Sequence, residues 1–188
     1  MKRARQVWAQ KSQTWDRARL VFLDESGAKT NMTRRRGRAV RGNRVYDATP
    51  QGHWCVRTMI SAVRVDGTTA CMSVDCATDG DVFTAYVREV LVPTLRAGDI
   101  VVLDNLGVHK HPVAIELIKR AGAQVEYLPP YSPDLNPIEK MWSKIKEFLR
   151  AAKARTSHAL HAAIAAAFLT ISAEDALSWF ASCGYTIC

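Results

Sequence analysis

Between Tyr127 and Pro137 four of eleven residues are proline. Proline lacks the amide hydrogen that a sheet ladder or a helix interior requires, so no regular element runs through such a stretch. Any element before it must stop, and the next must start afresh at a fixed angle. The segment after the turn is "NPIEKMWSKIKEFLRAAKA", in which Ile138, Met141, Trp142, Ile145 and Leu149 recur at helical spacing. Asn136 suits the cap, Pro137 the first helical position, and Glu139 falls three residues after the cap. Spacing leaves two explanations of Glu139 open. It closes a capping box, or it borders the apolar stripe half-buried and aimed at the body of the protein, where a carboxylate can do chemistry.

Two other acids share one grammar. "RLVFLDES" and "DIVVLDN" each run an apolar strand directly into an aspartate, Asp24 and Asp104. Leu20, Phe22 and Asp24 fall on one face of the first strand, and Ile100, Val102 and Asp104 on one face of the second. Glu25 competes with Asp24 but faces the other way. After the first strand come "HWCVRTMISAVRVDG" and "TTACMSVDC", β-rich and parted by Asp66-Gly67, a hairpin signal. A helix over "DGDVFTAYVREVLVPTL", capped by Asp79 or Asp81, leads to the second apolar strand. A further helix near "PVAIELIKRAG", ending at Gly122, leads to the short strand "AQVEYLP". Residues 2–18 read as a short helix against the main body. Helix-connected strands pair in parallel through right-handed crossovers. The expected architecture is α/β: three antiparallel strands, then parallel strands, in one mixed sheet with helices on both faces. That is the element order of the ribonuclease H-like fold.

If the two strands are neighbours, Asp24 and Asp104 meet at their carboxyl ends, where ligand sites of such sheets collect. Two bare carboxylates that close repel unless a cation lies between them. Hard oxygen donors without cysteine or histidine favour magnesium or manganese. Charge points to a second partner. The chain carries a net charge of +8, and from Ser26 to Tyr46 it has no acid. Within that span Arg34, Arg35, Arg36, Arg38, Arg41 and Arg44 crowd together, which suits a polyanion laid against them. Lys140, Lys144 and Lys146 flank Glu139 as further candidates for phosphate contact. Asn105 and His109 come soon after Asp104, to orient a ligand or to organise the loop. Five cysteines in no CxxC pattern read as reduced thiols of a cytosolic protein. No signal peptide or membrane span is expected.

Four stretches, "VFLDESG", "TRRRGRAVRGNR", "GDIVVLDNLGVHK" and "YLPPYSPDLNPIEKMW", resemble the catalytic domain of bacterial insertion-sequence transposases of the mariner-like superfamily, the DDE group. The last is the most specific. The resemblance implies that Asp24, Asp104 and Glu139 are the family's three catalytic, metal-holding acids. The 34 residues between Asp104 and Glu139 match the spacing of one large branch. It implies two Mg2+ or Mn2+ ions, cleavage of double-stranded DNA at transposon ends, joining of the freed 3′-hydroxyls to target DNA, and a homodimer assembled on DNA. The arginine-rich segment then contacts DNA or a partner subunit. Location is expected to be cytoplasmic and nucleoid-associated.

The expected organisation is one catalytic domain over residues 1–188, with residues 1–18 as a helical extension. About eighteen residues before the first strand are too few for the helix-turn-helix module of full-length relatives. A product completed by an upstream-frame helix-turn-helix partner and a decayed remnant are both open. So are a nuclease of this fold that cuts without joining, and a non-catalytic DNA-binding regulator.

Overall fold

The computed structural model describes residues 2–185. The sheet is organised around β1 (Leu20–Lys29), a strand apolar on both faces. Leu20 and Phe22 enter one core, Val21 and Leu23 the other, and all four are fully buried. β2 (Val56–Val63) and β3 (Thr69–Val74) continue as an antiparallel meander on one side of β1. On its other side β4 (Ile100–Leu103) and β5 (Gln124–Tyr127) pair in parallel. The order across the sheet is β3-β2-β1-β4-β5, as the expected mixture of antiparallel and parallel pairing requires.

Helices cover both faces. On one, α2 (Gly80–Tyr86) begins at Asp79, whose carboxylate accepts the amides of Asp81 and Val82. It continues as a π turn over Val87–Leu91 and a 3-10 turn over Val92–Thr94, where Pro93 prevents a further α-helical turn. α3 (Pro112–Arg120) joins it and ends before Gly122 at φ 82°. On the opposite face lie α1 (Lys2–Ser12), α4 (Pro137–Ala152), α5 (Ser157–Phe168) and α6 (Ala173–Ser182). Phe22 meets Phe180 of α6 edge-on at 5.3 Å. Trp8 of α1 is buried and donates to the Tyr185 hydroxyl at 3.0 Å, which in turn donates to the Leu135 carbonyl at 2.8 Å. Among the described residues no single helix is long and apolar enough to cross a membrane. The described cysteines, Cys55, Cys71, Cys76 and Cys183, are all free thiols, and Cys188 lies outside the described residues.

Three boundaries differ from the sequence expectation. β1 does not end at its aspartate but runs five residues further, because β2 keeps pairing with it as far as Lys29 opposite Val56. Only the parallel part ends early, at Phe22 opposite Val102. β2 starts at Val56, since His53, Trp54 and Cys55 continue the irregular arginine-rich segment. The Asp66-Gly67 turn lies in a five-residue connection, not a two-residue one. Gly67 has φ 84° there, and a Cβ on it would stand 2.9 Å from the Ser172–Ala173 backbone.

At the opposite end of the sheet from the aspartates, Arg64 and Asp99 form a buried ion pair at 2.6 Å, 4% and 0% exposed. Removing one partner strands a charge in the interior, which is far worse than removing both. Asp99→Ala is therefore expected to lower unfolding free energy by about 3 kcal/mol. The double change Arg64→Met with Asp99→Leu should recover most of it in urea titrations.

Candidate active site

The parallel register decides where the two aspartates lie. It aligns Leu20 with Ile100 and Phe22 with Val102, so two residues further along each chain Asp24 and Asp104 reach matching positions. Glu139 arrives from the first turn of α4, which packs over this end of β1. Asp24, Asp104 and Glu139 line one open cavity of about 520 Å³, together with Glu25, Asn105 and the proline turn. As the side chains stand, no three acid, histidine or cysteine groups among the described residues close around a single point.

The electrostatics record the proximity. Asp24 is 7% exposed. Burial pushes its carboxyl up to about 7; the Glu25 amide at 2.8 Å opposes this, while the Glu139 and Asp104 charges push the same way as burial. For Asp104, burial works upward, but His109 and the Leu106 amide hold its carboxyl below the usual range. Its Oδ1 accepts from His109 Nδ1 at 2.6 Å and from Leu106 N at 2.8 Å. His109 is fully buried; burial opposes its charge, yet Asp104 and Glu25 together raise it to about 9. Such a cluster suits a hard divalent cation. Its donors are oxygens, and a positive charge beside Asp24 would remove the penalty that raises its pKa.

The local structure distinguishes the two explanations of Glu139. Asn136 caps α4 by backbone conformation but makes no side-chain cap bond, and its Oδ1 is buried without a partner. The capping box is not formed. Contrary to the sequence expectation, Glu139 is exposed rather than half-buried, because it stands on the open side of the cavity and not against the core. Asn105 serves the loop: its amide donates to the Leu128 carbonyl at 2.5 Å and ties the residue after Asp104 to the start of the proline turn. The turn carries Tyr131 at φ 54°, a strained conformation for a side chain that is also 89% exposed. Arg5 of α1 holds the turn from outside, donating to Ser132 and Asp134 at 2.9 Å each. The sequence carried no sign of this clamp, since 127 residues separate Arg5 from Ser132.

The cationic candidates divide into three groups. Arg34, Arg35, Arg36, Arg38, Arg41 and Arg44 are all exposed in an irregular segment held at its base. Arg155 donates there to the Thr30 and Met32 carbonyls, and Lys153 to Asp47. Arg34, Arg35 and Arg36 lie along α4 beside Ser143, Glu147 and Arg150. Burial and the Arg35 charge both depress the Arg150 guanidinium, a sign of crowded cations. Lys140 is exposed beside Glu139, and Lys146 is half-buried. Lys144 is turned to α6, donating to Asp175 and to the Thr170 carbonyl, away from the cavity.

A sheet of this order, flanked by helices on both faces, has the ribonuclease H-like fold. The chain belongs to the DDE superfamily endonucleases, whose sequence profile matches residues 19–161. Its fold is similar to that of the Mos1 strand transfer complex protein, with a TM-score of 0.74 at 15% identity over 96% of this chain and 56% of the other. Against the catalytic domain of Mos1 mariner transposase the TM-score is 0.64 at 12% identity, covering 96% and 84%. The catalytic core of BIV integrase gives 0.53 at 14% identity, covering 81% and 82%. The chain thus spans just over half the length of the transposase chain in the strand transfer complex. No curated protein matches it in sequence.

Proposed function

We propose that this chain is the catalytic domain of a DNA transposase, cleaving transposon-end DNA and joining the freed 3′-hydroxyls to target DNA. The observation that carries the proposal is the convergence of Asp24, Asp104 and Glu139, from two strands and a helix, on one cavity. Those three side chains would hold Mg2+ or Mn2+, in keeping with Mos1 paired-end complexes that contain Mn and Mg. Two bound ions would supply an activated water or 3′-hydroxyl and stabilise the leaving oxygen. The protein's own part is to hold the acids in place: β1 and β4 set the aspartates by register, and the proline turn starts α4 in the phase that presents Glu139.

The arginine-rich segment fits the same proposal as a contact for DNA or a partner subunit in a homodimer on DNA, completed by an upstream helix-turn-helix partner. Glu139, Ser143 and Glu147 succeed one another at four-residue steps along one face of α4. At 1.5 Å per residue, Arg34, Arg35 and Arg36 therefore lie roughly 12 Å from the acid site along the helix. That distance corresponds to three or four nucleotides of one strand, at about 3.4 Å each.

The decisive assay combines an oligonucleotide bearing a free 3′-hydroxyl, a supercoiled plasmid, and Mn2+. Joined product is expected. Nicking without joining would reduce the protein to a nuclease, and no metal-dependent product at all would refute the catalytic reading. A separate measurement concerns the arginines. Changing Arg34, Arg35 and Arg36 to alanine should make the slope of log affinity against log salt shallower by about 2–3, since each phosphate contact contributes roughly 0.9. An unchanged slope would remove this segment from the DNA interface.

A further inference from the structure

Behind Asp104 the cavity wall contains a second carboxylate that metal-assisted phosphoryl transfer at the three acids does not use. Glu25 is next to Asp24 on β1 and therefore points to the opposite face of the sheet. His109 stands on that side, in the 3-10 turn Val108–Lys110, with its ring 5.0 Å from the Phe83 ring of α2. Its Nδ1 lies 2.6 Å from Asp104 Oδ1 and its Nε2 3.5 Å from Glu25 Oε1, one nitrogen for each acid. Glu25 Oε1 and His109 Nε2 are both buried and neither has a hydrogen-bond partner, so each is the other's nearest recourse. The backbone of the turn is fixed as well, the Tyr127 hydroxyl donating to the His109 carbonyl at 3.1 Å. A ring braced on every side and directed at Asp104 is costly to build unless the orientation of Asp104 matters.

We propose that Glu25 and His109 are positioning residues for Asp104, with Glu25 holding the ring so that Nδ1 faces Asp104 Oδ1. Both donors to Asp104, Leu106 N and His109 Nδ1, reach that same oxygen, which leaves Oδ2 as the one without a protein donor. Partners of this kind fix the direction of a ligating carboxylate, and their loss typically weakens metal binding about 10–100-fold. The inference rests on the metal-site reading of the three acids. It departs from the view of Glu25 as a rival ligand to Asp24: Glu25 acts through the histidine.

The test is Mn2+ binding to the full chain, monitored by the loss of the free-ion electron paramagnetic resonance signal. Glu25→Ala is expected to weaken binding about 10–100-fold. Glu25→Gln should recover part of the loss, because an amide oxygen can accept the same ring hydrogen. In a His109→Asn background Glu25→Ala should cost nothing more. DNA affinity in EDTA should not move. Mn2+ affinity of Glu25→Ala within twofold of the parent would overturn the inference. So would an effect that persists in full beside His109→Asn, which would make Glu25 a direct ligand. Should Glu25→Ala fail to fold, side-chain 15N spectra of Glu25→Gln carry the test: a displaced His109 Nε2 resonance is expected, and parent values for both resonance and affinity would overturn it. Mn2+ binding absent from the parent, or surviving Asp104→Ala, would instead sink the metal-site reading itself.

Discussion

Asp104→Ala is expected to reduce metal-dependent nicking of supercoiled plasmid by about a thousandfold, while affinity for linear DNA falls less than about threefold. The first figure comes from chemistry: a metal ion stabilises transition-state charge by several kcal/mol, and each 1.36 kcal/mol is tenfold in rate. The second comes from placement. Asp104 sits in the cavity, whereas the arginines proposed to contact DNA belong to the irregular segment after β1 and lie further along α4. Removing a negative charge from the cavity cannot weaken electrostatic attraction to DNA. Comparable nicking by the parent and the variant, with the same Mn2+ dependence, would exclude Asp104 from the site. His109→Asn, which removes a partner of Asp104 and leaves the carboxylate itself in place, should fall between the parent and Asp104→Ala.

The second large effect concerns stability and runs opposite to activity. Asp24→Asn is expected to stabilise the metal-free protein at pH 8, by up to about 4 kcal/mol if the carboxyl sits near 7 in the fold and near 3.8 when unfolded. Because the folded value is raised, the contribution of this group is fully present below about pH 3.8. It is lost as pH rises through about 7. The gap between variant and parent should therefore be widest at pH 8 and close progressively towards pH 4. For a chain of this size each kcal/mol moves the melting temperature by about 2–4 °C, so thermal scans in EDTA resolve it. Adding Mn2+ should raise the parent's melting temperature at pH 8 and leave the variant's unchanged. A variant no more stable than its parent at pH 8 would mean that Asp24 is not held charged at a cost. Functional sites commonly carry such a cost, and here the cause is specific: one buried carboxylate beside two others.

The sequence by itself determined the elements and singled out the three acids. Strand, hairpin, crossover helix and the start of α4 are local matters, written in apolar periodicity, in Asp66-Gly67, in the Asp79 cap and in the prolines. The meeting of Asp24 with Asp104 was legible only on condition that their strands are neighbours, and the parallel pairing of β1 with β4 supplied that condition. Tertiary structure decided everything that depends on which side chains meet across long intervals. Whether Glu139 capped its own helix or faced a cavity could not be told from spacing, since both arrangements need the same residue at the same position. The unused side chain of Asn136 and the open cavity beyond it made the difference. Lys144 looked like a phosphate contact until α6 brought Asp175 to it, and Glu25 looked like a rival to Asp24 until the fold brought His109 to its other side. Backbone preferences are properties of neighbours in sequence. The partner of a charged side chain is a property of the packed sheet.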